Sequence, residues 1–225
     1  MGAGARHAAA CGCELIMTAG LDILPPMMLS RRSFLLSSLA ALAVPRVAAA
    51  AEPFHIPVYE EHKVEFKYRQ QEVKFKTTEP PGTIVVDMRK RFLYFVKPGG
   101  KAIRYVIGVG SSATRWSGNA TITRMAKWPK WTPTEEMMAK HTTYDQWKDG
   151  MPGGLDNPMG ARALYLINEG GIDNKYRVHG TPAPYTIGKA TTSGCFRMLN
   201  SAVIDLANRV KVGTRVVVLP YKKGL

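Results

Sequence analysis

Thr83-Ile84-Val85-Val86-Asp87, Arg91-Phe92-Leu93-Tyr94-Phe95-Val96 and Ala102-Ile103-Arg104-Tyr105-Val106-Ile107-Gly108-Val109 follow one another closely in the chain. β-branched and aromatic residues dominate all three runs, as suits a pleated, half-buried surface. Lys97-Pro98-Gly99-Gly100 separates the second run from the third and reads as a turn. Shorter runs of the same kind recur at Ala120–Arg124, Ala163–Ile167, Lys175–His179 and Arg215–Leu219. Many short strands with Gly/Pro turns predict a mainly β domain, a β-rich α+β fold with one or two short helices. One helix is expected from Asn200, with Asn200 as its cap. Val203, Leu206, Ala207 and Val210 fall on one face, and Lys211-Val212-Gly213 ends it.

Outward from these strands the chain divides by composition. Residues 83–219 form the expected catalytic domain. Residues 52–82 form an arm, polar and partly alternating (Val64-Glu65-Phe66-Lys67-Tyr68, Val73-Lys74-Phe75), read as an edge hairpin or an extended segment. Residues 220–225 form a tail. Residues 115–155 hold all four tryptophans, Pro129, Pro133 and Met137-Met138, which reads as a lid or substrate loop, or as a satellite core.

Residues 1–51 read as an N-terminal extension and export leader. Ser30-Arg31-Arg32-Ser33-Phe34-Leu35-Leu36 precedes an apolar run closed by Pro45 and a small-residue tract ending at Ala50-Ala51. This is the pattern of a twin-arginine-type signal peptide cleaved near Ala50 or Ala51, directing the protein to the periplasm. The apolar run falls short of the ~20 residues a membrane span needs. Met27-Met28 directly before the motif reads as the true start of translation.

The chain carries a formal charge of +14. Removing residues 1–51 takes away four arginines and two acids, so 27 basic and 15 acidic residues leave +12. Such a balance fits an acidic polymer, an anionic membrane or nucleic acid. No helix-turn-helix, zinc-finger or RNA-recognition signature supports nucleic acid as a partner. Cys11 and Cys13 leave with the leader, so Cys195 is the single remaining cysteine and forms no internal disulfide. It is either an inert buried side chain or a reactive one.

The neighbours are compatible with reactivity, although a lone cysteine is more often buried than catalytic, and leave both readings open. Tyr176-Arg177-Val178-His179-Gly180-Thr181-Pro182 is followed by Ile187-Gly188-Lys189 and Thr192-Ser193-Gly194-Cys195-Phe196-Arg197-Met198. An imidazole supplies the base that a cysteine nucleophile needs to become a thiolate. Gly194 removes a side chain beside the nucleophile and lets a carbonyl approach the backbone. His55, His62, His141 and His179 show no metal-ligand spacing, so no metal or other cofactor is expected.

His179-Gly180-Thr181, Ile187-Gly188 and Thr192-Ser193-Gly194-Cys195-Phe196-Arg197-Met198 together resemble the signature of L,D-transpeptidases with the YkuD-type catalytic domain. Met151-Pro152-Gly153-Gly154 and Asp156-Asn157-Pro158-Met159-Gly160-Ala161-Arg162 are similar to the family's preceding stretch, and the likeness runs over residues 83–219. Ser193 departs from members that carry histidine there. The resemblance implies a β-sandwich or barrel-like fold, with Cys195 as nucleophile and His179 as general base and then acid. It implies that the Gly180 carbonyl orients the imidazole and that N–H groups of Gly194 and Cys195 form the oxyanion hole. Thr192 and Ser193 would shape the loop or donate hydrogen bonds. Arg197 would attract a substrate carboxylate, or hold the loop through a salt bridge.

The implied reaction is acyl transfer between peptidoglycan stem peptides, giving 3→3 cross-links between diaminopimelate residues. Other acceptors for the same thioester are water (L,D-carboxypeptidase or amidase) and a lipoprotein or outer-membrane protein amine. Rival classes are a non-catalytic wall-binding module and a redox-sensing thiol protein. The sequence carries no signal for oligomeric state.

Overall fold

The structure is a computed structural model and describes residues 51–57, 66–111, 116–173, 175–192 and 194–221. The export signal at residues 30–51, except Ala51, and Ser193 of the motif therefore lie outside the described residues.

Eleven described strands build the domain: β1 (Gln71–Lys74), β2 (Ile84–Asp87), β3 (Phe92–Lys97), β4 (Lys101–Val106), β5 (Val109–Gly110), β6 (Gly118–Lys127), β7 (Arg162–Asn168), β8 (Arg177–His179), β9 (Ala190–Thr192), β10 (Phe196–Arg197) and β11 (Arg215–Val218). Nine of them form one sheet in the order β1-β4-β3-β2-β11-β6-β7-β8-β10, and β5 pairs β9 separately. The fold is mainly β, with two α-helices among the described residues, α1 (Glu135–Lys140) and α2 (Asn200–Arg209).

The alternation seen in the sequence assigns the two faces. Ile84, Val86, Leu93, Ile103, Tyr105, Leu164, Leu166, Val178, Phe196, Val216 and Val218 fill the main core, closed by Ala202, Val203 and Leu206 of α2. Val85, Tyr94, Val96 and Ala102 form a second cluster on the opposite face of β2, β3 and β4, against Val73 and Phe75 of the arm. Each fully buried Leu, Ile, Val or Phe contributes about 1.5–3 kcal/mol, so this two-sided burial holds the sheet together. Within the arm, Gln71–Lys74 lies as one edge strand antiparallel to β4. That edge is guarded by lysines and by Glu72, which bridges Lys97 and Lys101.

Two sequence expectations change here. Gly118–Lys127 is a long sheet strand between β11 and β7, so the excursion from the sheet starts at Trp128 rather than at residue 115. Trp131 and Met151 close it with paired backbone hydrogen bonds of 2.9 and 2.7 Å. Asn200 opens α2 but does not cap it; Leu199 holds the cap position without a side-chain bond. The Asn200 Oδ1 instead accepts the N–H groups of Ala161 (2.9 Å) and Thr181 (3.2 Å), which join two loops far apart in sequence. A tertiary demand has overridden the local capping preference.

Candidate active site

Strand register gathers the motif. Parallel pairing of β10 with β8 sets Phe196 opposite Val178 and Arg197 opposite His179. Phe196 and Val178 are fully buried in the core. Alternation therefore turns Arg197, His179, Arg177 and Cys195 onto the other face. Cys195 precedes β10 by one residue, in line with Arg177, which makes Cys195 and His179 diagonal neighbours on adjacent segments. Cys195 is half-buried, with no disulfide partner among the described residues.

His179 is 5% exposed, and its Nδ1 lies 2.6 Å from the Gly180 carbonyl. This contact sets an N–H on Nδ1 and leaves the lone pair on Nε2. Burial, joined by the Arg197 and Arg177 charges, pushes the imidazole down to about 4, against the pull of the Gly180 and Pro158 carbonyls. Burial also raises the Cys195 thiol, while the Arg177 N–H and the charges of Arg177 and Arg197 favour its thiolate. The resting pair is thus neutral thiol and neutral imidazole. The thiol donates to the Lys175 carbonyl at 3.7 Å.

The loop before the cysteine is built by Thr192. Its Oγ1 donates to the Cys195 carbonyl at 2.8 Å and accepts the Gly194 N–H at 3.2 Å. Gly194 has φ +132°, which a side chain would strain. The Gly194 N–H is engaged in this way, whereas the Cys195 N–H has no acceptor among the described residues.

Arg197 Nη1 donates to Thr186 Oγ1 at 3.2 Å, and its Nε is buried without a partner among the described residues. It forms no salt bridge among the described residues; its charge faces Cys195, Tyr185 and Tyr144. Tyr144 comes from the 3-10 turn Thr142–Trp147 in the excursion, so that segment reaches toward the cysteine side of the sheet.

Two positioning residues were not evident in the sequence. A Cβ on Gly180 would stand 2.1 Å from Asn200 Oδ1, so Asn200 and Gly180 fit only each other at the turn after His179. Asn157, fully buried, donates from Nδ2 to the carbonyls of Pro129, Met151 and Pro152 and accepts the Met159 N–H. It thereby fixes Pro158, whose carbonyl reaches His179.

A mainly β domain that sets a half-buried cysteine and a buried histidine on one face, between two arginines, is the class these features define. The YkuD L,D-transpeptidase catalytic-domain profile matches residues 81–218, and the chain belongs to that family. It is 33% identical over 149 residues to the probable L,D-transpeptidase YbiS of Escherichia coli K12, covering 65% of this chain and 47% of that protein. It is 46% identical over 67 residues to the putative L,D-transpeptidase YkuD of Bacillus subtilis, covering 30% of this chain and 36% of that protein. The chain spans less than half the length of these curated relatives. A solved structure from Brucella melitensis, described as a probable carnitine operon oxidoreductase CaiA, is 46% identical with a TM-score of 0.48, covering 71% of this chain and 99% of that one. That description is the Brucella protein's own.

Proposed function

We propose that this protein is an exported L,D-transpeptidase that joins peptidoglycan stem peptides through a thioester on Cys195, forming 3→3 cross-links between diaminopimelate residues. The observation that carries this reading is the shared outer face of β8 and β10, with His179 and Cys195 as diagonal neighbours flanked by Arg177 and Arg197. The twin-arginine-type leader supports delivery to the periplasm, where the substrate lies.

In the first half-reaction the thiol proton passes to His179, and Sγ attacks the carbonyl of the third stem residue. Arg177 and Arg197 stabilise the thiolate as it forms. The Cys195 N–H is the donor available to the tetrahedral oxyanion. The C–N bond then breaks, His179 protonates the departing D-alanine amine, and a thioester remains. In the second, the side-chain amine of another stem attacks that thioester and loses a proton to His179, and the Sγ–C bond breaks to regenerate the thiol. Arg197, without a carboxylate partner among the described residues, draws the donor's terminal carboxylate toward the cysteine.

Incubating the mature chain with purified muropeptide tetrapeptides and reading products by mass spectrometry tests this. Cross-linked dimers with loss of D-alanine are expected, and Cys195→Ala abolishes them. Tripeptide alone would reassign the enzyme as an L,D-carboxypeptidase, muropeptide attached to an added lipoprotein as an anchoring enzyme, and no turnover as a wall-binding module.

A further inference from the structure

Strands β6, β7 and β8 carry a row of side chains on the Cys195 face, two of which, Arg124 and Tyr165, the thioester chemistry leaves unused. Register sets Arg124 opposite Tyr165 and Tyr165 opposite Arg177. The intervening Leu164 and Val178 point into the core, so this row points outward. The Arg124 guanidinium lies 3.5 Å from the centroid of the Tyr165 ring, and that of Arg177 lies 4.8 Å away.

The two cations differ in what they have left to give. Arg177 is held bidentately by Asp173, at 2.7 and 2.8 Å. Arg124 is exposed and has no carboxylate partner among the described residues. A guanidinium on an aromatic face keeps its in-plane N–H fork, the geometry that grips a carboxylate.

Position fits the reacting centre. Neighbouring strands lie about 4.8 Å apart, so a guanidinium drawn back over Tyr165 sits about 10 Å from the line of Cys195. An extended peptide covers about 3.3–3.6 Å per residue, so a carboxylate two to three residue lengths from the attacked carbonyl meets it.

We infer that Arg124, braced by Tyr165, is the specificity-determining residue for the acyl donor and binds a carboxylate on the N-terminal side of the attacked residue. This rests on the thioester reading of Cys195. Arg177, whose N–H fork is already taken up by Asp173, supports Tyr165 and does not compete for the carboxylate.

Two synthetic donor peptides test the inference, one bearing that carboxylate and one with it amidated, each followed by the rate of adduct formation on the mature chain. The native chain prefers the acidic donor about tenfold in kcat/KM, mainly through KM, as one exposed charge-assisted contact gives. Arg124→Ala brings that preference close to one, and Arg124→Lys restores part of it. An Arg124→Ala chain that keeps the native preference, or that slows both donors equally, overturns the assignment. Absence of any adduct on the native chain with either peptide overturns the thioester reading itself.

Discussion

Removing the Glu52 carboxylate should destabilise the domain far more than a surface change would. Arg162 is 4% exposed, and Glu52 pairs with it through both carboxylate oxygens. The same carboxylate accepts the Trp128 indole N–H at 2.8 Å, and Phe54 packs edge-on against that ring at 4.7 Å. Breaking a buried pair by deleting one partner costs about 3–5 kcal/mol, because the other charge stays buried. Glu52 is itself 26% exposed, and water screens the pair, so about 2–3 kcal/mol is expected for Glu52→Ala. For a domain of this size that lowers Tm by roughly 5–10 °C. Urea unfolding of the chain from Ala51 reads the effect directly. The Arg162 charge, joined by the Trp128 hydrogen bond, holds the Glu52 pKa below its usual value. A depressed carboxylate contributes stability above its unfolded pKa, near 4.5, and loses it as pH falls through the folded pKa. The difference between native chain and variant should therefore shrink below about pH 4.5. A loss under about 0.5 kcal/mol at pH 7, the size of an ordinary surface substitution, would refute the clasp as a stabilising element.

His179 binds its proton only near pH 4 in the folded chain, against 6.5 as a free imidazole. The unfolded chain takes up that proton first, so stability falls as pH drops from 6.5 to 4, by an amount on the order of 3 kcal/mol; imidazole NMR shifts locate the folded pKa. An imidazole titrating near 6.5 in the folded chain would contradict the burial argument. With both partners neutral at rest, thiol alkylation by iodoacetamide at pH 7 should be slow and should accelerate above pH 9. Asn200→Ala leaves the Ala161 and Thr181 N–H groups without their acceptor and should cost about 1–3 kcal/mol while lowering turnover; Asn200→Asp, which keeps the acceptor, should retain more of both.

The fold was legible where local chemistry and tertiary demand agree. β2, β3 and β4 alternate, and Pro98-Gly99-Gly100 turns the chain with φ of +75° and +69° at its glycines. β9 and β10, with three and two residues, are too short to carry a period, yet they frame the cysteine loop. Cys195 and His179 stood out because both lie in one short, contiguous motif of the chain. Asn157, Asn200 and Glu52 did not, since each acts on partners 28, 39 and 110 positions away. An asparagine at a helix start reads as a cap until the loops that claim its oxygen are in view. Likewise a tryptophan-rich stretch reads as one lid, although its first third pairs on both sides within the sheet.

The intact mass of the mature chain after brief exposure to a stem tetrapeptide, followed by peptide mapping, bears most directly on the pairing of His179 with Cys195. A thioester-linked tripeptide on Cys195 is predicted, released by hydroxylamine and lost when His179 becomes alanine in a chain that still unfolds cooperatively. A native chain that turns over substrate with no adduct on Cys195, or a His179→Ala chain that acylates at the native rate, contradicts the account.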